Sequence, residues 1–153
     1  MKNIFFAALA LLSLGITGCG GLFDNVEGGS MSAKVDGENF KANIAVVATI
    51  VDSIFTVTGS ATVAEQLQLI IQDFDGEGTY EITSGIDERN QARWTATIDP
   101  TETYTTIGSL GTGKVVITSY DGDNVKGTFE FTAKNTDEVE VEITEGEFDA
   151  EIQ

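Results

Sequence analysis

The chain of 153 residues has no histidine, one cysteine and one proline. Without histidine, the commonest general base, the commonest metal ligand and the usual partner of a catalytic Ser or Cys are all missing. Cys19 stands alone, so no intramolecular disulfide can form and the fold must rest on packing. Positive charge is scarce as well: 8 Lys and Arg face 25 Asp and Glu, a formal net charge of −17. A polyanion is held by Lys and Arg that displace its counterions, so nucleic-acid roles are excluded for the most part. The same imbalance disfavours docking the globular body on anionic lipid, and it favours cationic partners, divalent metals or plain solubility.

What is present begins with a leader. Met1-Lys2-Asn3 carries one positive side chain, Ile4 to Leu14 is an almost unbroken apolar run, and small residues then lead to Cys19. This order predicts a cleavable signal over residues 1–18, with a run well short of the roughly 20 apolar residues of a permanent membrane helix. Its removal takes away Lys2 and no acid, which moves the formal charge to −18.

Ile16-Thr17-Gly18-Cys19 resembles the lipobox of bacterial lipoproteins: apolar, small, small, then the cysteine that is acylated and becomes the mature N-terminus. The resemblance implies a diacylglyceryl thioether and an acylated amine, palmitate among the chains, on Cys19. It also implies a place in the cell envelope as an outer-membrane lipoprotein, and no other cofactor is expected. Two or more acyl chains, at about 0.8 kcal/mol per buried CH₂, hold a protein on a bilayer where one does not. Residues 19–30 are rich in Gly and without periodicity, and read as a flexible tether. Asp24 and Glu27 within it resemble the acidic export signals of surface-displayed lipoproteins in Bacteroidota-type bacteria.

Residues 31–153 read as one β-domain, because apolar residues recur there with period 2 in short runs separated by Gly, Asp and Asn. Phe40, Ala42, Ile44, Val46, Ala48 and Ile50 form one series, and Phe55 and Val57 continue it. Leu67, Leu69 and Ile71 alternate with Gln66, Gln68 and Gln72; Tyr80 and Ile82 alternate with Thr79, Glu81 and Thr83. Trp94, Ala96 and Ile98 form a further series. Lys114 to Tyr120, Asp121-Gly122-Asp123-Asn124 and Val125 to Ala133 predict a β-hairpin. In the last strand Val139, Val141 and Ile143 are odd, whereas Phe148, Ala150 and Ile152 are even. One extra residue must therefore be absorbed, and Gly146 is the expected bulge. The expected fold is all-β: an antiparallel β-sandwich or an up-and-down, lipocalin-like barrel of about nine or ten strands, which alternation alone does not separate.

Specific segments carry a resemblance to small Bacteroidota-type lipoproteins of unknown function. They are Ala33-Lys34-Val35-Asp36-Gly37 with Phe40, Gly78-Thr79-Tyr80, Gly113-Lys114-Val115, Gly127-Thr128-Phe129-Glu130-Phe131 and Ile143-Thr144-Glu145-Gly146-Glu147-Phe148. The resemblance implies an all-β fold and an envelope location, and supplies no activity.

Asp73-Phe74-Asp75-Gly76-Glu77 has the look of a calcium loop, since closely spaced carboxylates on a Gly-bearing turn can supply several of the six to eight oxygens that calcium takes. An EF-hand is excluded, because its twelfth position is Ser84. Asp121 and Asp123 are weaker calcium candidates on a hairpin turn, and turn formation accounts for all five acids without metal. Acid pairs such as Asp87 and Glu88, or Glu140 and Glu142, would serve a glycan-hydrolysing dyad only if space brought them together. Trp94, Tyr104 and Tyr120 are candidates for a sugar-binding platform or for core packing. Asp52-Ser53-Ile54 resembles the short site that receives O-linked sugar in Bacteroidota-type secreted proteins, with Ser53 as acceptor. The expected function is a non-catalytic binding or scaffold module attached to the membrane by its lipid. The partner would be a glycan, an apolar small molecule or another envelope protein. A carrier of a small apolar ligand, and a glycan-binding or acid-based glycan-hydrolysing domain, are the alternatives.

Overall fold

The computed structural model describes residues 28–85 and 89–153, and there the period-2 segments become eleven strands with no α-helix among them. In chain order they are β1 (Gly29–Val35), β2 (Glu38–Lys41), β3 (Ala45–Val51), β4 (Ile54–Ser60), β5 (Gln66–Ile71), β6 (Gly78–Ile82), β7 (Gln91–Thr95), β8 (Thr103–Thr105), β9 (Thr112–Tyr120), β10 (Asn124–Lys134) and β11 (Glu140–Glu151). Pro100 opens a short 3-10 turn, Pro100–Glu102, and Asp99 caps it by accepting from the Thr101 N–H. Because β1 starts at Gly29, the folded domain takes in two residues that composition assigns to the tether.

All the ladders are antiparallel, and the sheet runs β2-β1-β11-β10-β8-β7-β5-β4-β3, with β9 and then β6 branching from β10. The branch is where the sheet folds over. β10 pairs with β9 as far as Thr132 and then, past it, with β8 through the single pair Lys134 and Thr105. One layer is therefore β6-β9-β10-β11-β1-β2 and the other is β8-β7-β5-β4-β3. The layers meet face to face: the Phe55 ring of β4 stacks 6.1 Å from that of Phe148 on β11. A second seam joins Ala48 of β3 to Ile152, which follows β11. The buried apolar side chains of both layers form one cluster, from Met31 and Phe40 to Leu67, Ile117 and Ile143. Burying such side chains at about 25 cal/mol per Å² is the main favourable contribution here, as no disulfide helps.

Local pattern was misleading in three places. The series Phe40 to Ile50 is two strands in different layers, and Ile44, in the crossing between them, is 52% exposed. Ala96 and Ile98 lie beyond the end of β7, and Ile98 is exposed in the loop that leads to Pro100. Val139 precedes β11 and is also exposed.

The parity change of β11 is present, but its bulge is not at Gly146. Phe129 faces Gly146 and Phe131 faces Ile143, so Glu130 alone opposes Thr144 and Glu145. The β1 ladder slips at the same place, between Ser32 and Lys34. Glu145 is the residue in the left-handed region, with φ 50°, and its carboxylate pairs with Lys34 at 2.9 Å. Gly146 is small for another reason. A Cβ there would lie 2.4 Å from the Phe129 ring and 2.5 Å from its carbonyl oxygen.

The β9–β10 hairpin turns on Asp121, whose Oδ1 accepts from the backbone N–H groups of Asn124 at 2.8 Å and Asp123 at 3.0 Å. The Asn124 bond, then that from Asp123, holds the Asp121 carboxyl below its ordinary value.

Three outcomes are expected. Gly146→Val should lower stability by about 3 kcal/mol in denaturant unfolding, because the new side chain meets a ring and a carbonyl with no room to give. Glu145→Gly should stay within about 1 kcal/mol of wild type, since relief of the left-handed strain offsets the lost ion pair. Asp121→Ala should lower Tm by a few degrees at neutral pH. A carboxyl whose folded pKa is depressed stabilises above its unfolded value of 3.8, so the gap from wild type should close as pH falls below that. A gap that is constant with pH in thermal scans would show that the carboxylate bonds are not its source.

Candidate functional site

Both ends of the described domain lie at one end of the sandwich. Gly28 accepts from the Glu151 N–H, Ile152 donates to Asp123 O, and Gln153 donates to Ala48 O. The β3–β4 turn at Asp52 and Ser53 belongs to the same end, since Ser53 O accepts from the Phe74 N–H. So does the Asp73–Glu77 loop, where Phe74 inserts its ring between Phe55 at 5.1 Å, Tyr80 at 5.8 Å and Tyr120 at 5.1 Å.

Three of the acids at this end, Asp73, Asp75 and Asp121, are tied to protein partners. Asp73, with φ 53°, pairs with Arg89. The Asp75 N–H donates to the Tyr80 hydroxyl, which lies 2.9 Å from both Asp75 Oδ1 and Gly76 O. Desolvation first, and then the Asp75 carboxylate, push the Tyr80 phenol above its usual value. Glu77 and Asp123 are exposed. No three acids, cysteines or histidines among the described residues stand close enough to hold a metal ion, so Asp73, Asp75, Glu77, Asp121 and Asp123 share an end without sharing a centre. Ser53 is exposed at φ 64° on the hairpin tip, where its hydroxyl is open to modification.

The aromatic candidates separate. Trp94 of β7 is half-buried, 5.3 Å from Tyr104 of β8, and its Nε1–H is buried without a hydrogen-bond partner. Burial and the Glu102 carboxylate push the Tyr104 phenol up. Tyr120 stands with Phe74 instead, so the three rings make no common platform.

The larger hollows lie on the outer face of the β6-β9-β10-β11 layer and open to solvent. One of about 310 Å³ is lined by Lys114, Thr128, Glu130, Glu145 and Glu147. A second of about 570 Å³ is bounded by Glu81, Ser84, Thr112, Lys114 and Glu130, and a third of about 250 Å³ by Thr132, Glu142 and Thr144. Register sets Glu81, Lys114, Glu130, Glu145 and Lys34 side by side across five strands. Lys114 pairs with Glu130 at 3.0 Å. These exposed pairs contribute on the order of 1 kcal/mol or less each. A hydrolytic dyad needs one carboxyl kept protonated by an apolar setting. No described carboxylate is buried, and Glu140 and Glu142 sit exposed on β11. Asp87 and Glu88, like Cys19 and the leader, lie outside the described residues.

Sequence reasoning missed a division of charge. β3, β4, β5, β7 and β8 contain no acid, and Arg93 is their one charged residue. β11 alone carries Glu140, Glu142, Glu145, Glu147, Asp149 and Glu151, and the described lysines, Lys34, Lys41, Lys114, Lys126 and Lys134, are all in its layer. The available signal was the stretch Asn39 to Ala64, in which Asp52 is the one acid.

No curated protein and no solved structure matches the chain. A family model does, over residues 27–150, which begins one residue before the first described residue and ends within β11. The chain belongs to the family described as domain of unknown function DUF6252.

Proposed function

We propose that the protein is a lipid-anchored lipoprotein of the cell envelope, whose β-domain binds or scaffolds a partner without catalysis. The observation that carries this reading is the order of parts. An apolar leader ends in Ile16-Thr17-Gly18-Cys19, and nine residues later, at Gly28, the described domain begins. A domain on a short leash from an acylated cysteine needs no further membrane element, and no helix among the described residues is long and apolar enough to cross a bilayer. The Bacteroidota-type outer membrane is the assigned location, on the resemblance of the lipobox and the flanking acids. The non-catalytic reading draws support from the missing histidine and from carboxylates that are exposed or ion-paired. A carrier of apolar ligands would require an enclosed apolar cavity of roughly 300 Å³ or more. The apolar side chains of the two layers instead pack into one cluster, and the hollows described above are outside it.

Expression of the full chain with labelled palmitate is the direct test. Wild type should take up label and sediment with membranes, and its mature mass should begin at Cys19 with acyl chains attached. Cys19→Ala should abolish the label. Label retained in Cys19→Ala, or a mature wild-type chain without acyl mass, would refute the anchor.

A further inference from the structure

We infer that the anchored domain lies on the bilayer through the acid-free outer face of β3, β4, β5, β7 and β8. This rests on lipid attachment at Cys19. Given that attachment, no affinity for lipid is needed to bring the domain to the membrane. Cys19 to Glu27 is nine residues, which at full stretch spans about 30 Å. The domain is therefore always at the surface, and what remains to be decided is which side turns inward.

Where the tether enters narrows the choice. Gly28 is seated against the edge of β3, so closely that a Cβ on it would meet the Val46 carbonyl oxygen at 1.9 Å. The chain thus joins the domain at the margin of the acid-free layer. Standing upright on the tether-bearing end would press Asp52, Asp73, Asp75, Glu77, Asp121 and Asp123 against the surface potential of anionic lipid. Lying on the opposite layer would do the same with the acids of β11. An anionic surface therefore turns a domain of such unequal charge until its neutral side faces in. The net charge of −17 argues against lipid contact for the chain as a whole and says nothing about this one face.

The face also has the chemistry for an interfacial contact. Val47, Val51 and Ile54 are 40%, 63% and 42% exposed on β3 and β4. Around them, outward Thr49, Thr56, Gln66 and Gln68 offer neutral donors and acceptors to lipid headgroups, and Arg93 offers a cation.

The test uses the full acylated chain, in which an introduced cysteine is the sole free thiol. A fluorophore is placed at Thr56→Cys on the acid-free face, at Thr128→Cys on the outer face of β10, or at Asp123→Cys at the tether-bearing end. Each protein is bound to vesicles of phosphatidylethanolamine and phosphatidylglycerol that carry a nitroxide on some headgroups, and floating vesicles are collected. The Thr56 label should be quenched severalfold more than the other two, and Val51→Glu, at an exposed position, should remove that excess. Equal quenching at the three sites overturns the inference, as does strongest quenching at Asp123, which would mean an upright domain. A Thr56 label that escapes lipid quenching but quenches itself at high protein density assigns the face to a second copy of the chain, and also overturns it. Failure of the acylated chain to float would refute the anchor itself, a separate readout from the label pattern.

Discussion

A continuous train of aromatic rings joins the two layers, and the rest of the fold is built around it. Phe131 lies 6.4 Å from Phe129, Phe129 lies 6.3 Å from Phe148, and Phe148 crosses to Phe55. Phe55 continues to Phe74, which meets both Tyr80 and Tyr120. Such pairs add about 0.5–1.5 kcal/mol each beyond the area they bury. Their larger effect is on geometry. The train couples β10 and β11 to β4, which pairs only with β3 and β5, and then to Tyr80 of β6 and Tyr120 at the end of β9. A chain with no possible intramolecular disulfide thereby fixes how its two layers face each other. The bulge serves the same end: one extra residue at Thr144 and Glu145 reverses the parity of β11, so that both Ile143 and Phe148 point into the core. Gly146 leaves the space that the Phe129 ring needs at the turn of that train.

With the interior filled, what distinguishes the surfaces is charge. One layer shows rows of carboxylates and ammonium groups in cross-strand register, and the other shows threonine, glutamine and aliphatic side chains. Cross-strand ion pairs from Lys34, Lys126 and Lys134 reduce the repulsion among the acids of β11, which would otherwise lie side by side along one strand. The second layer needs no such compensation. The two outer faces thus have different physical characters even though the alternation that built them is the same.

How much of this was legible in the sequence depends on the range of the interaction. Alternation is local, so Leu67, Leu69 and Ile71 against Gln66 and Gln68 declared β5 correctly, and the Asp121–Asn124 turn declared its hairpin. The parity change of β11 was legible for the same reason, although Gly146 drew attention away from Glu145, a residue type that rarely takes φ near 50°. Ile44 and Ile98 were misread because a strand pattern continues across a crossing or a loop when chance supplies an apolar residue of the right parity. The partners of β10, the train of rings and the acid-free layer depend on contacts between distant segments. No window along the chain shows that β4 and β7 flank β5 in one sheet.

The edges show how the sheet is kept from pairing with other chains. β2, at one end of the sheet order, is four residues long and carries Glu38 and Lys41, which discourage addition of a further strand. β3, at the other end, is Ala-Val-Val-Ala-Thr-Ile-Val, uncharged and rich in β-branched residues, the composition that invites edge-to-edge association. It is protected differently. Gly28 is packed on Val46 O, Ile152 forms a parallel bridge to Ala48, and the Gln153 N–H occupies Ala48 O. The two ends of the domain thus cover the middle of its most adhesive strand. The edge where the described domain begins is therefore also the edge whose uncharged strand most needs a cover. The outer face of β3 stays open while its backbone edge is covered.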